Sequence, residues 1–177
     1  MTLGPQIAGT LPLRSSPAAF IRAMRDRVAS GLLGTNVPRS RYAIAESTGD
    51  MMRIQAANWQ TAINVGLNEL DLGFRQSGRI DYTVRYWRWA AYALGLGALL
   101  GHIGLALLVG FDVRGYIAGH PATRVPGLSI EQHVIIAWMM VLFWGFVWPW
   151  LLIALHKRPL HHLVARIVSE VDSQAVR

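Results

Sequence analysis

The chain has no cysteine. That absence excludes a disulfide framework, a thiolate zinc site, an iron–sulfur cluster and a cysteine nucleophile, while leaving the compartment open. Acidic residues are few, 10 against 17 Lys and Arg, and none lies between Trp89 and Phe111 or between Val134 and Leu155. Without intramembrane carboxylates, no proton relay is expected within the chain. The sequence also lacks a phosphate-cradling GxxxxGK[ST], an HExxH and a nucleophile elbow, which removes the commonest nucleotide, metalloprotease and acyl-transfer readings. Neither a fixed-period repeat nor a low-complexity stretch is visible. The first twenty residues, MTLGPQIAGTLPLRSSPAAF, have no charged n-region or apolar h-region, so no cleavable signal peptide is expected.

What the chain does have is localised hydrophobicity. With 53% hydrophobic residues, a mean hydropathy of +0.31 and a pI near 10.8, it is too apolar for an ordinary basic soluble domain. Two uncharged runs account for this, WAAYALGLGALLGHIGLALLVGF (89–111) and VIIAWMMVLFWGFVWPWLLIAL (134–155). Crossing ~30 Å of hydrocarbon takes about 20 apolar residues of helix, so each run is long enough to span. The alternative, a buried helical hairpin in a soluble core, normally keeps a polar stripe. Eleven Arg precede the first run, Arg114 and Arg124 lie between the two, and Lys157, Arg158, Arg166 and Arg177 follow. The positive-inside rule then predicts a multi-pass protein of the bacterial inner membrane with both termini cytoplasmic. Arg85, Arg88, Lys157 and Arg158 mark the membrane surface and meet anionic lipid, and residues 112–133 form a periplasmic loop. Trp87, Trp89, Trp148 and Trp150 fit interfacial anchors.

The cytoplasmic sequence divides into a flexible arm at 1–18, a helical region at 19–88 and an amphipathic tail at 156–177. In the helical region Ser16 is placed to cap a helix, with Pro17 in its first turn and Gly34 as its stop, before Pro38 breaks the chain. Phe20, Met24, Val28 and Leu32 recur every fourth residue, an apolar face suited to the next helix or a partner, while the other face, with Arg22, Arg25, Asp26 and Arg27, suits anionic lipid. A second helix is expected from Glu46 to Val65, with Met52, Ala56, Trp59 and Ile63 on one face. A third follows Gly66, with Asn68 and Asp71 in a capping-box-like arrangement and Leu70 and Phe74 continuing the apolar face. Met52, Trp59, Ile63, Leu70 and Phe74 are therefore the expected cytoplasmic docking surface. In the tail, Leu160, Leu163, Val164, Ile167, Val168 and Val171 make a strongly amphipathic helix.

The stretch WQTAINVGLNELDLGFRQ, through Trp59, Ala62, Gly66, Leu67, Asp71 and Leu72, followed by an aromatic-basic approach and a two-helix hairpin, resembles the IcmV-like (TraX-like) inner-membrane components of type IVB secretion and conjugation systems. The resemblance covers roughly residues 45–155. It implies a non-catalytic accessory subunit packed against a larger polytopic channel protein.

Within the spans, Gly97, Gly101 and Gly104 form a small-residue stripe of GxxxG type, which permits close helix approach and marks a packing interface together with His102. The aromatic second span suits a partner's groove or lipid, and Pro149 removes a backbone hydrogen bond near its cytoplasmic end. His102 and His133 raise the possibility of a bis-His haem site. Their depths disagree, because His102 lies about 12 Å inside the outer end of its helix whereas His133 opens the second. A hydrogen bond from His102 to a neighbouring helix is the plainer expectation, and a haem shared with another subunit stays open. His161 and His162 are adjacent, about 100° apart on a helix, and make a poor metal pair. Dispersed Arg without a base-stacking platform does not suggest nucleic acid.

The expectation is thus an all-α protein: a two-span transmembrane hairpin with an N-terminal cytoplasmic helical region and a C-terminal amphipathic helix. It would serve without cofactor or catalysis in a larger complex, with homo-oligomerisation allowed. The alternative is an accessory subunit of a respiratory or photosynthetic oxidoreductase, contributing to a haem or quinone environment through His102.

Overall fold

The computed structural model describes residues 4–33, 41–75 and 77–177. The expected stop at Gly34 and break at Pro38 lie outside them. The elements run β1 (Gln6–Pro12), α1 (Pro17–Gly31), β2 (Tyr42–Ser47), β3 (Met51–Ala56), α2 (Trp59–Val65), β4 (Glu69–Arg75), β5 (Arg79–Arg85), α3 (Trp87–Gly110), α4 (Val113–Gly119) and a 3-10 turn at Pro121–Thr123. They continue with α5 (Ile130–Leu142), a π-helical turn at Phe143–Val147, α6 (Trp148–Leu155) and α7 (Lys157–Ala175). Two compact units result, Met1–Tyr92 with Leu155–Arg177, and Ala93–Ala154.

The first unit corrects the all-α expectation, because it is built on a five-stranded antiparallel sheet in the order β1-β5-β4-β3-β2. Residues 6–12, expected as a flexible arm, pair with β5 along its whole length. The helix expected over 46–65 is β2 and β3 joined by a turn at Thr48–Asp50, and only its last turns are helical, as α2. Asn58 caps that helix by accepting from the Thr61 N–H at 2.7 Å, and the third helix expected from Asn68 is instead β4. Asn68 lies buried between strands, its N–H bonded to the Arg85 carbonyl at 2.9 Å. Asp71, expected to close a capping box, faces Arg53 across the β3–β4 ladder.

Strict alternation explains the sheet. Met52, Ile54, Leu70, Leu72, Ile80, Tyr82 and Val84 are buried on one face, while Arg53, Asp71, Asp81 and Arg85 project from the other, as the period of two requires. Two helices cover the apolar face. α1, capped by Ser16 as expected, buries Phe20, Ile21 and Met24. α7 buries Leu160, Val164, Ile167, Val168 and Val171. Both amphipathic faces are thus consumed by the core rather than by lipid. Buried Asp172 fastens the β1–α1 connection, accepting from the N–H groups of Arg14 at 3.0 Å and Ser15 at 2.9 Å and from the Ser15 hydroxyl at 2.7 Å. Burial pushes its carboxyl up, but these hydrogen bonds outweigh that and hold it below its ordinary value.

The second unit is a helical hairpin. Two helices are long and apolar enough to cross a membrane, α3 and the helical run that begins at Ile130, and only 11% of each apolar window is buried. A hairpin in a soluble core would be mostly covered. The seam is made by missing side chains. A Cβ on Gly145 would lie 2.4 Å from the Gly101 Cα, one on Gly97 would lie 2.2 Å from the Pro149 ring, and one on Gly104 would lie 2.8 Å from Val141. The π-helical turn has a local cause as well. Pro149 has no N–H and its ring crowds the carbonyl four residues earlier, that of Gly145, so the chain widens there and the Trp148 N–H bonds to Phe143 instead. Outside the spans, α4 is capped by Asp112 and α5 by a reciprocal Ser129/Gln132 capping box, with Arg114 and Glu131 paired at 2.7 Å.

Candidate membrane-anchoring site

The sequence WRW at 87–89 follows β5 by one residue and starts α3, so two indoles and a guanidinium stand in the first turn of a helix long and apolar enough to cross a membrane. Trp59, at the start of α2 and 28 positions earlier in the chain, meets this turn: its ring lies 5.9 Å from that of Trp87, edge to face. The Arg88 guanidinium lies 5.7 Å from the Trp59 ring and 5.3 Å from the Trp87 ring, a double cation–π contact. Trp59 is 49% exposed and Trp87 43%. The Arg88 Nε has no hydrogen-bond partner among the described residues.

Next to this lies a largely covered aromatic cluster around buried Tyr86. His156, at the junction of α6 and α7, stacks on Trp89 at 4.1 Å and 10° and meets Tyr86 edge-on at 5.6 Å. The chain passes this ring only because of Gly66, the left-handed C-cap of α2 with φ +74°. A Cβ there would lie 1.9 Å from His156 Nε2. That nitrogen is buried and has no hydrogen-bond partner among the described residues, and the same holds for both polar side-chain atoms of Asn68. Burial lowers the His156 pKa, which favours the neutral imidazole. The stack joins the turn where the chain leaves the first unit to the turn where it returns.

The expected docking residues separate. Met52 and Leu70 are fully buried in the sheet core, Ile63 and Phe74 are half-buried, and Phe74 packs edge-on against Phe20 at 5.7 Å. Only Trp59 of the five is exposed. Among the expected surface cations, Arg85 belongs to the polar face of the sheet, bonded to Glu69 at 2.7 Å and Asp71 at 3.2 Å. Arg88 lies between the indoles, Lys157 is half-buried and Arg158 is exposed. Gly97, Gly101 and Gly104 are spent on the hairpin's own seam. His102 bonds the Ala98 carbonyl through Nδ1 at 2.7 Å and meets Phe146 edge-on at 5.6 Å. His133 uses both ring nitrogens, Nδ1 with the Ser129 carbonyl and Nε2 accepting from the Val125 N–H, so it is not poised to share a haem with His102. His161 bonds the Tyr82 hydroxyl through Nδ1. Among the described residues, no three His, Asp or Glu are grouped to hold a metal ion.

Gly66 ends α2 as expected, but sequence reasoning missed its contact with His156, and it missed Asp172. The signals that existed were a Gly immediately after an amphipathic turn and a lone Asp on the apolar face of the tail helix. No family model matches the chain, and no curated protein or solved structure matches it.

Proposed function

We propose that the protein is a non-catalytic assembly subunit of a larger membrane complex, presenting a small α/β domain at the cytoplasmic face of the bacterial inner membrane. The observation that carries this reading is an insertion: the chain leaves the first unit at Tyr92 and rejoins it at Leu155, with a two-span hairpin between. An even number of crossings returns the chain to the side it left, and the Arg-rich flanks support the cytoplasm as that side. A domain joined to the membrane through both ends of an insertion is tethered twice, which suits an assembly platform.

The partner in this reading is a larger polytopic protein, met by the exposed aromatic ridge of the second span, Phe143, Trp144 and Trp150. The IcmV-like resemblance names a type IVB secretion or conjugation machine as the host complex. That assignment rests on the residue pattern between Trp59 and Leu72, which folds as helix then strand rather than as two helices.

The test is a mild-detergent pull-down of the tagged protein from its native membrane, with mass spectrometry of what co-elutes. A polytopic channel protein with secretion ATPases, lost on combined Trp144→Ala and Trp150→Ala, is expected. Cytochrome or quinone-linked subunits would overturn it and turn attention to His102, and elution of the protein alone would overturn the assembly role itself.

A further inference from the structure

We propose that α2 is a second membrane contact of the α/β domain: Trp59, with Trp87 and Arg88, lies in the headgroup layer of the bilayer, on anionic phospholipid. This holds whichever machine the protein serves. Three observations converge on it. Trp59 is remote from the spans in sequence, yet its ring lies 5.9 Å from Trp87, two residues before the first uncharged run. Both indoles are about half exposed although Trp is normally well covered in a soluble domain. Indoles that are apolar in body and polar at the N–H are enriched at the headgroup level of membranes. Between them sits the Arg88 guanidinium, over both ring faces and, among the described residues, without a carboxylate in an ion pair with it. Arg27, Arg53, Arg75, Arg85 and Arg166 of the same unit are instead paired with carboxylates of the chain. An Arg without one at this height matches a lipid phosphate, which a planar guanidinium binds with two parallel hydrogen bonds.

The occupant is the same bilayer that α3 enters, because the patch is continuous along the chain with the first turn of that span. Charge agrees with this, since Arg158 is exposed close after the second span and the cytoplasmic leaflet is negative. On α2 the exposed positions Gln60 and Asn64 accompany Trp59, and Ala62 faces the core. The helix is therefore positioned to lie along the surface rather than to insert.

A cysteine-free chain makes the experiment clean. Gln60→Cys is labelled with an environment-sensitive fluorophore, and Ser173→Cys on exposed α7 surface serves as control. Each is reconstituted as purified protein alone in nanodiscs of phosphatidylcholine and phosphatidylglycerol. The label at 60 is expected to be quenched by bromolipid and shielded from aqueous iodide, and the label at 173 to behave oppositely. Arg88→Gln is expected to raise the iodide-accessible fraction at 60 about fivefold, the effect of one juxtamembrane cation, and to do so only when phosphatidylglycerol is present. Trp59→Ser is the second variant, exposed enough to leave the fold intact. Iodide quenching at 60 equal to that at 173 would overturn the proposal and mark α2 as a surface for a soluble protein partner. Shielding from both quenchers would overturn it in favour of contact with a second copy. Retention of both proteins in the pull-down above, whatever the label shows, keeps the two proposals separable.

Discussion

Replacing Gly66 with alanine tests the return junction most directly. Two costs are separable there. The backbone at φ +74° favours glycine, and an L side chain in that region costs about 1–2 kcal/mol. The added methyl would also lie 1.9 Å from His156 Nε2 and 2.7 Å from its Cε1, so the ring must move. It is stacked at 4.1 Å on Trp89 and cannot yield without opening that stack, an overpacking cost of about 1–3 kcal/mol. Gly66→Ala is therefore expected to destabilise the α/β unit by about 2–5 kcal/mol, a large part of a small domain's stability. The discriminating experiment is the cycle with His156→Ala. With the ring gone, only the backbone cost survives, so Gly66→Ala in that background falls to about 1–2 kcal/mol and the coupling energy is about 1–3 kcal/mol. Urea titration in mild detergent, with hydrogen exchange of the β4 and β5 amides as the local readout, measures both. An equal cost of Gly66→Ala in the two backgrounds would show that His156 does not fill the space over Gly66 and would refute the reasoning.

Three further outcomes follow from the geometry. His156 is half-buried with its Nε2 covered, and burial lowers its pKa from 6.5, so the unfolded chain binds the proton more readily. Stability is full above 6.5 and falls as the pH drops below it, and His156→Phe is expected to flatten that limb in pH-dependent urea titrations. Asp172 acts lower: its folded pKa lies under 3.8, so its stabilisation is present above that value and is lost as the pH falls through the folded one. Asp172→Ala, which leaves the Arg14 and Ser15 donors unpaired, is expected to cost about 1–3 kcal/mol at neutral pH in the same titration. Gly101→Leu meets Phe146 and the Gly145 backbone within 3.0 Å and is expected to open the hairpin by about 1–3 kcal/mol, read as a lowered melting temperature in detergent.

The spans, the capped α1 and the amphipathic α7 were legible because each rests on a signal that only one element type produces: a long uncharged run, a Ser-Pro cap, and apolar residues at intervals of three and four. The sheet was not legible because its apolar residues were read at intervals of four. Met52 and Ala56 share a face in a helix, but four is also a multiple of two, and they share a face in a strand. The same holds for Leu70 and Phe74. The residues that break the tie are Ile54 and Leu72, buried at the intermediate positions, which a helix would carry round to its far side. Arg53, Asp71 and Arg85 point to the same answer, since they cluster only when alternate residues share a face. At the membrane-anchoring site, Trp59, Trp87 and Arg88 were each visible as interfacial or docking types. Their meeting was not, because it depends on β4 and β5 carrying the chain back beside the start of α2. His156 was hidden for a similar reason: nothing local announces that a histidine following a span will fold onto a glycine 90 positions earlier.

The place of the hairpin in the chain has a consequence for how the protein is made. Five side chains of α7 complete the core of the α/β unit, and at about 1.5–3 kcal/mol each their burial is on the order of 10 kcal/mol, comparable with the whole net stability of a domain. That helix emerges from the ribosome after both apolar runs. Until it does, the apolar face of the sheet is covered by α1 alone, and the unit reaches its native state only when α7 docks. Completion of the α/β core therefore waits on synthesis of the whole hairpin, and a chain cut short within residues 93–154 is expected to leave that core open.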